Sequence, residues 1–342
     1  MDAERLQQLV RRFPGCRVAV LGDFFLDKYL DVDPGLAEVS LETGKAAHQV
    51  ASIRCSPGAA GTVVNNLAAL GAGEIHAVGF TGDDGEGYEL RRALRALGCE
   101  AAGLISLPDR FTPTYLKPRD TRNPGLAGEH ERYDTKNRMP TPPDVGDRLL
   151  AHVERLLPGL DAVVVADQVD EAECGAVTAR VRDGLARLAG SQPHKVFWAD
   201  SRRRIGQFRN VIAKVTVAEA IGWLGASGSR PWDQGAAGAL LALRHRTGKP
   251  VFVTAGAEGI WVSDPEPALV PAVRVDGAID PTGAGDSATS GAVLALAAGA
   301  TLREAALVAN LVASITIQQL ATTGTASPSQ LGPRLEMWRG QR

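Results

Sequence analysis

Cysteine is scarce in this sequence of 342 residues, and the few cysteines stand far apart. The four are Cys16, Cys55, Cys99 and Cys174, and none belongs to a C-x-x-C pair. This spacing argues against a disulfide framework and against a zinc site built on paired cysteines. Residues 1–12 are polar and amphipathic and lack the apolar core of a signal peptide. We therefore expect reduced thiols and a cytoplasmic protein.

An excess of one charge is lacking as well. The 37 Lys and Arg residues are balanced by 39 Asp and Glu residues, for a net charge of −2, and no five like charges adjoin. Nonspecific nucleic-acid binding needs clustered cations that displace counterions, so we expect no nucleic-acid partner. The uncharged stretch between Glu304 and Arg334 is interrupted by Asn310, two glutamines and Pro328. These polar residues favour a buried helix over a membrane span, and we expect no membrane partner.

Two common nucleotide-binding motifs are missing from the chain. The Gly-Lys pairs at 44–45 and 248–249 are followed by Ala and Pro, so neither completes G-x-x-x-x-G-K-[ST]. No G-x-G-x-x-G follows the first apolar run. A P-loop enzyme and a Rossmann dehydrogenase are therefore excluded. The His, Ser and Cys residues also show no arrangement for acyl transfer.

What the chain does contain is a regular alternation of short apolar runs and helical patterns. Helical spacing at 61–70, 87–97 and 175–188 lies between apolar runs at 18–21, 75–78, 162–166, 196–199, 212–217 and 251–254. This alternation predicts an α/β fold with a doubly wound, mostly parallel sheet and helices on both faces. Ligands of such folds bind at the carboxyl ends of the strands. We expect one domain over residues 1–342.

Two segments, 31–57 and 108–133, break this alternation. Both contain short β-like stretches and turn residues, and both are inserted between core elements. We expect them to pair with each other as a small β-sheet lid over the ligand site. Segment 31–57 is also suited to pairing across a two-fold axis, which makes a homodimer one of the expectations.

The richest motif is Asp280-Pro281-Thr282-Gly283-Ala284-Gly285-Asp286, which precedes a helical run of small residues. Small residues let successive N–H groups converge, and the helix start adds its positive dipole end, so this loop is suited to hold a phosphoryl group. A carboxylate at the helix start could take a proton from an attacking hydroxyl. Taken alone, the motif is more simply explained as a turn with Asp286 as an ordinary N-cap.

The motif and its helix resemble the C-terminal signature of the ribokinase-like, or PfkB, family of carbohydrate kinases. G-D-F-F-L-D-K-Y at 22–29 is similar to the family's first strand and loop, and 57–72 to its glycine-rich sugar motif. Further segments follow in family order, at 78–85, 161–167, 253–256 and 309–310. Segments 26–29, 39–42 and 131–134 resemble the heptose-phosphate kinases related to ADP-heptose synthesis. None of the six histidines lies in the H-x-G-H pattern of the nucleotidyltransferase fused to such kinases, so we expect a kinase alone.

The resemblance implies an ATP-dependent kinase that phosphorylates a hydroxyl of a sugar or sugar phosphate, with ATP and Mg²⁺ and with a monovalent cation such as K⁺. It makes Asp286 the general base and gives the anion-hole amides to Gly283, Ala284 and Gly285. It places the acceptor at Asp27, Gly58, Ala59, Thr62 and Arg132. It places the nucleotide at Thr254, Gly256, Thr282 and Asn310, and metal ions at Glu219 and Asp280.

The sequence departs from the family pattern at three positions. Ala59 replaces the second glycine of a Gly-Gly pair and Thr62 an asparagine, both on the acceptor side. Thr216 replaces the asparagine of Asn-x-x-Glu, which in the family is tied to Mg²⁺ and phosphate. These changes keep open a non-catalytic sugar- or nucleotide-binding protein, or a nucleoside kinase.

Several individual residues also keep a second interpretation. Asp27 is suited to bind vicinal hydroxyls or to cap a turn. Asn310 is suited to bind adenine or to satisfy buried backbone groups. The basic residues that could bind a phosphate on the acceptor, or be solvated surface charges, are Lys117, Arg119, Arg132 and Arg202-Arg203-Arg204.

Overall fold

The computed structural model describes residues 1–123, 126–226, 235–320 and 322–341. Helices in this part of the chain are α1 (Ala3–Val10), α2 (Ala60–Ala69), α3 (Gly85–Ala96), α4 (Pro143–Leu156), α5 (Ala179–Ser191), α6 (Val217–Ala226), α7 (Gly235–Thr247), α8 (Ala284–Ala297), α9 (Leu302–Thr316) and α10 (Pro328–Gly340). Strands are β1 (Arg17–Gly22), β2 (Phe24–Val32), β3 (Glu38–Val39), β4 (Ala46–Ala47), β5 (Val50–Ala59), β6 (Glu74–Gly82), β7 (Glu100–Leu107), β8 (Thr114–Asp120), β9 (Tyr133–Thr135), β10 (Ala162–Asp167), β11 (Val196–Ser201), β12 (Ile212–Thr216), β13 (Val251–Thr254), β14 (Gly259–Val262) and β15 (Ala268–Pro271).

The large sheet has the order β15-β14-β13-β12-β11-β10-β1-β6-β7. The pairs from β7 to β13 are parallel, and β14 and β15 extend the sheet antiparallel at one edge. Because β1, β10, β11, β12 and β13 are parallel, their carboxyl ends meet along one edge. The loops that leave this edge carry the residues of the candidate site.

Helices cover both faces of this sheet. Along β1, Val18 and Val20 belong to one buried apolar cluster, whereas Ala19 and Leu21 belong to another. Alternate side chains of a strand point to opposite faces, so the uninterrupted apolar run at 18–21 marks a strand covered on both sides. The first cluster includes residues of α2, α8 and α9, and the second includes residues of α4, α5, α6 and α7. The predicted doubly wound α/β fold is confirmed.

A smaller sheet of β5, β2, β8 and β9 lies beside the large one. Segments 31–57 and 108–133 both contribute to this sheet, as expected, but they pair directly only where Asp31 and Val32 lie beside Arg119 and Asp120. Elsewhere β2 lies between them. It pairs antiparallel with β5 and parallel with β8. Strand β2 begins at Phe24, before the predicted segment 31–57 starts. Only Asp23 lies between β2 and β1. Residues 124–125 of the second segment lie outside the described residues.

No helix in the described ranges is both long enough and apolar enough to cross a membrane. The uncharged stretch after Glu304 forms most of α9, and its residues from Ala305 to Val312 are buried in the core. The helix begins with a capping box between Thr301 and Glu304. The predicted buried helix is therefore present.

The junction between β5 and α2 has an unusual backbone. Ala59 has φ 53° and ψ −118°, a region that glycine enters readily and that strains a residue with a β-carbon. The next N–H, that of Ala60, donates to the carbonyl oxygen of Asp23 at 3.0 Å, which ties the start of α2 to the β1–β2 junction. The alanine that replaces the family's second glycine is thus held in a glycine-like conformation.

We expect Ala59→Gly to stabilise the protein by about 0.5–2 kcal/mol, because relief of backbone strain outweighs the greater entropy of glycine in the unfolded chain. The control is Ala93→Gly in the middle of α3, which should cost about 0.5–1 kcal/mol. Urea unfolding of both variants measures the difference. If Ala59→Gly loses as much stability as the control, the backbone of Ala59 is not strained in the native protein.

Candidate active site

The predicted anion-binding loop closes onto the start of α8. Gly283 has φ 76°, in the left-handed region, and is the N-cap of this helix. A β-carbon at Gly283 would lie 3.3 Å from Cγ2 of Thr62, so the buried Thr62 packs directly against the loop. The N–H of Ala284 donates to the carbonyl oxygen of Pro281 at 3.1 Å. Ala284 thus has an acceptor inside the turn, and its anion-hole role stays a prediction, as do those of Gly283 and Gly285.

Asp286 lies in the first turn of α8 and is half-buried. Burial raises the pKa of its carboxyl group to about 7, the nearby charge of Asp200 adds to the rise, and Lys214 and Arg202 oppose it. The negative charge of Asp27, on the small sheet, also raises this pKa. A carboxylate with a pKa near neutrality is suited to accept and release a proton.

Lys214 and Asp200 form a buried ion pair below this loop, and our sequence reasoning missed both. They are direct neighbours in the register of β12 and β11, and Lys214 Nζ lies 2.7 Å from Asp200 Oδ2. A β-carbon at Gly285 would lie 2.8 Å from that Nζ, so the ammonium group lies directly beside the loop at Gly285. The available signal was a lysine inside the otherwise apolar strand 212–215.

On one side of the loop lies a cleft of about 1010 Å³. Its walls include Gly285, Thr254 and Gly256, to which the family resemblance gives contacts with the nucleotide or its transferring phosphate. Apolar residues such as Ile260 and Ile279 line the rest. Thr282 is exposed and its N–H donates to Asp280 Oδ1 at 3.0 Å. The cleft is large enough for a nucleotide, which agrees with the predicted place of ATP.

Asn310 lines the same cleft, but its amide also braces the protein. The Nδ2 group donates to the carbonyl oxygens of Val270 at 2.9 Å and Pro271 at 3.1 Å, at the end of β15. This contact supports the interpretation of Asn310 as a buried polar residue that satisfies backbone groups. Its nucleotide contact stays a prediction.

On the other side of the loop, the small sheet presents one polar and aromatic face. Phe25 and Asp27 alternate along β2, and in the register Phe25 lies beside Gly58 of β5, Asp27 beside Tyr115 of β8, and Lys117 beside the next residue of this face, Tyr29. Lys117 Nζ is 2.9 Å from Asp27 Oδ1, and both side chains are buried. The rings of Phe25 and Tyr115 meet edge to face at 5.2 Å. Gly58 lies against the Asp27 carboxylate. We name this surface, formed by Phe25, Asp27, Gly58, Tyr115 and Lys117, the acceptor face.

The candidate phosphate-binding cations have different surroundings. Arg132 forms a two-point ion pair with Asp134, at 2.7 and 2.9 Å, and its guanidinium group lies 4.3 Å from the Tyr115 ring centre. Arg202 is exposed and donates to Gln168 at 2.8 Å.

The other two members of the arginine trio point elsewhere. Arg203 pairs with Asp170 at the surface, at 3.1 Å. Arg204 is buried against Asp167, 2.6 Å away. Arg202–Arg204 therefore do not act as one clamp, and Arg202 is the member whose charge reaches Asp286.

The residues predicted to hold metal ions are engaged in local structure. The Thr216 N–H donates to Glu219 Oε2 at 2.7 Å, and the Glu219 N–H donates to Thr216 Oγ1 at 3.2 Å. This reciprocal pair is a capping box at the start of α6. In the described part of the chain, no three His, Cys, Asp or Glu side chains cluster to hold a metal ion. Such a site fits Mg²⁺ that is held mainly by nucleotide phosphates and water.

Similarities to known proteins agree with this geometry. The model of the pfkB family of carbohydrate kinases matches residues 204–330, which include the glycine loop and Asp286. The bifunctional protein HldE of Caulobacter vibrioides is 30% identical over 327 residues, and that of Stutzerimonas stutzeri is 31% identical over 330 residues. Each alignment covers 93% of this chain but only 63% of the relative, so the chain spans less than two thirds of their length.

Solved structures show the same fold at low sequence identity. Ribokinase of Arabidopsis thaliana, complexed with ribose and ATP, has a TM-score of 0.66 at 15% identity, over 94% of this chain and 99% of that one. A carbohydrate kinase from Agrobacterium tumefaciens has a TM-score of 0.67 at 21% identity, over 94% and 97%. These similarities confirm the expected ribokinase-like fold. The match to the family model identifies residues 204–330 as pfkB-family carbohydrate kinase sequence, and the HldE relatives and solved structures extend the similarity over 93–94% of the chain.

Proposed function

We propose that this chain transfers the γ-phosphoryl group of ATP to a hydroxyl of a sugar or sugar phosphate, with Asp286 as the general base. The observation that carries the proposal is the position of Asp286. Its neighbours Ala284 and Gly285 line the nucleotide cleft, and its carboxyl group is close enough to the acceptor face for Asp27 to raise its pKa. A hydroxyl bound on that face and a phosphate bound in the cleft would therefore meet at Asp286.

The chain's own residues supply the proton acceptor and the field for the transfer. Asp286 accepts the hydroxyl proton as the new O–P bond forms. The N-terminal end of α8 directs unpaired N–H groups and a positive dipole end at the transferring charge. When Mg²⁺ is bound with the nucleotide, it neutralises charge on the phosphate oxygens. Glu219, beside the cleft residue Thr216, could reach that ion through water, whereas Asp280 could serve the monovalent cation.

The acceptor face supports a polyhydroxylated substrate. The Asp27 carboxylate accepts hydrogen bonds from hydroxyls, and Lys117 donates them. Lys117 places positive charge beside Asp27, and Arg202 places it near enough to Asp286 to lower its pKa, which suits an acceptor that already carries a phosphate. The resemblance of segments 26–29, 39–42 and 131–134 to heptose-phosphate kinases supports the same substrate class. We further propose a cytoplasmic protein with free thiols, and the homodimer stays a prediction.

An ADP-release screen tests the activity. Purified protein with ATP and Mg²⁺ is offered hexoses, pentoses, heptoses, their monophosphates and nucleosides. Sugar-dependent ADP release supports the proposal. Release only with nucleosides would identify a nucleoside kinase, and binding of sugar or ATP without release would identify a binding protein.

Asp286→Asn should lower kcat by about 10²–10⁴ while ATP binding is retained, because the amide keeps the shape of the side chain but accepts no proton. In the native enzyme kcat/KM should rise with pH up to about 7 and then level off, following ionisation of the base. Steady-state kinetics from pH 5 to 9 measure both effects.

The same variant has a stability readout. The folded-state pKa of Asp286 lies above its unfolded value, so the folded protein becomes less stable as the pH rises from about 4 to about 7. Asp286→Asn should therefore raise Tm more at pH 8 than at pH 4. The structure makes Gly283 the N-cap of α8 and not Asp286. If Asp286 only stabilised the first turn of α8, Asp286→Asn would lower stability and leave the chemistry unchanged. A fully active Asp286→Asn protein would refute the mechanism.

Lys117→Met should raise KM for a sugar phosphate at least tenfold, because a hydrogen bond to a charged group is worth about 1.5–3 kcal/mol. KM for the same sugar without phosphate should change less. The matched control is Lys28→Met, since Lys28 forms a 2.9 Å ion pair with Glu86 and alternates to the opposite face of β2. Equal increases for both substrates would show that Lys117 acts through Asp27 and not on a phosphate.

A further inference from the structure

The Lys214–Asp200 ion pair is out of keeping with its surroundings. Both residues are buried, at 5% and 6% exposure, and their strand neighbours Ala199, Ala213 and Val215 are apolar, with Ser201 polar. Desolvation makes such a pair costly, and apolar residues of the same size often serve stability equally well. Stability alone is therefore a weak reason for charges at this position.

The place of the pair is more informative. The ammonium group of Lys214 occupies the space beside Gly285, 2.8 Å from where a β-carbon at that position would lie, one residue before the base. Lys214 is not among the residues that line the nucleotide cleft. It therefore acts on the site through its charge and its contact with the loop, and not by binding the nucleotide.

We propose that Lys214 and Asp200 are positioning residues that set the protonation of Asp286 in opposite directions: Lys214 favours the ionised base, and Asp200 limits that effect. This inference rests on the proposed role of Asp286. The pair would keep the base able both to take a proton from the acceptor and to release it after transfer.

The charges on every side of the base agree with this assignment. Asp286 is influenced by Asp200 of β11, Lys214 of β12, Arg202 after β11 and Asp27 of β2. Lys214 is influenced in turn by Asp200, Asp286 and Glu219, whose negative charges raise its pKa against the lowering effect of burial. Lys214 therefore stays protonated and is a constant charge over the working pH range of the base.

The test is a direct titration of Asp286 in the full chain. Protein with ¹³C-labelled aspartate carboxyl groups is titrated by NMR, and Asp286→Asn identifies the signal. Lys214→Met should raise the pKa of Asp286 by about one unit or more, and Asp200→Asn should lower it by a similar amount, since each removes one unit charge at close range. The double variant should lie between the single variants, and the remote Lys28→Met should leave the value unchanged.

In the same variants, the pH at which kcat/KM reaches half of its maximum should shift in the same directions as the pKa of Asp286. KM for ATP should stay nearly constant. Shifts of equal sign in both single variants, or no shift in either, would overturn the inference. If Lys214→Met does not fold, the double variant compared with Asp200→Asn isolates the lysine, and it must raise the pKa. Failure of the proposed function is a separate outcome. An active Asp286→Asn enzyme would show that Asp286 is not the general base, even if the pKa values shift as expected.

Discussion

Carboxylates buried at the carboxyl edge of a parallel sheet must be compensated, and this constraint organises the protein. Asp23 accepts three backbone N–H groups, from Gln168, Val169 and Ala176, at 2.7 to 3.0 Å. Asp27, Asp167 and Asp200 each pair with one cation from a neighbouring strand or loop. Because every partner comes from another element, satisfying these charges fixes the loops around the site.

Burial and the negative charge of Asp167 raise the pKa of Asp23 to about 6 despite its three N–H donors. Compensation falls further short at Asp286. Burial and the repulsion of Asp200 outweigh the attraction of Lys214 and Arg202, so its pKa rises to about 7. The fold thus uses ion-paired acids as supports and leaves Asp286 with a pKa near neutrality. In the proposed reaction, the cleft lined by Gly285 would hold the nucleotide and the acceptor face the hydroxyl, so that both reactants meet at that acid.

Much of the fold could be predicted from the sequence because it depends on local patterns. Apolar runs such as 18–21 identified strands covered on both faces, and the small residues after Gly283 identified the helix that carries Asp286. The pairing of β2 could not be predicted in this way. In the sequence, the apolar run of β1 continues past Asp23 into β2. Only tertiary contacts show that β1 belongs to the large sheet and β2 to the small one.

The details of the candidate site depended on contacts between residues distant in sequence. Thr216 and Glu219 form a helix cap, which the resemblance to a metal-binding motif concealed. Lys214 and Asp200 are 14 positions apart and meet only through the register of two parallel strands. The family resemblance named Asp286, but it carried no information about the charges that surround Asp286 in this chain.

The contact between Thr62 and Gly283 limits how the two halves of the site can diverge. Thr62 belongs to the segment that resembles a sugar motif, while Gly283 belongs to the phosphoryl loop, and the methyl group of one fills the space beside the other. A larger residue at 62, selected for a new sugar, would push on the loop proposed to hold the phosphate. Changes of acceptor in this lineage should therefore arise more readily on the small sheet than at the start of α2.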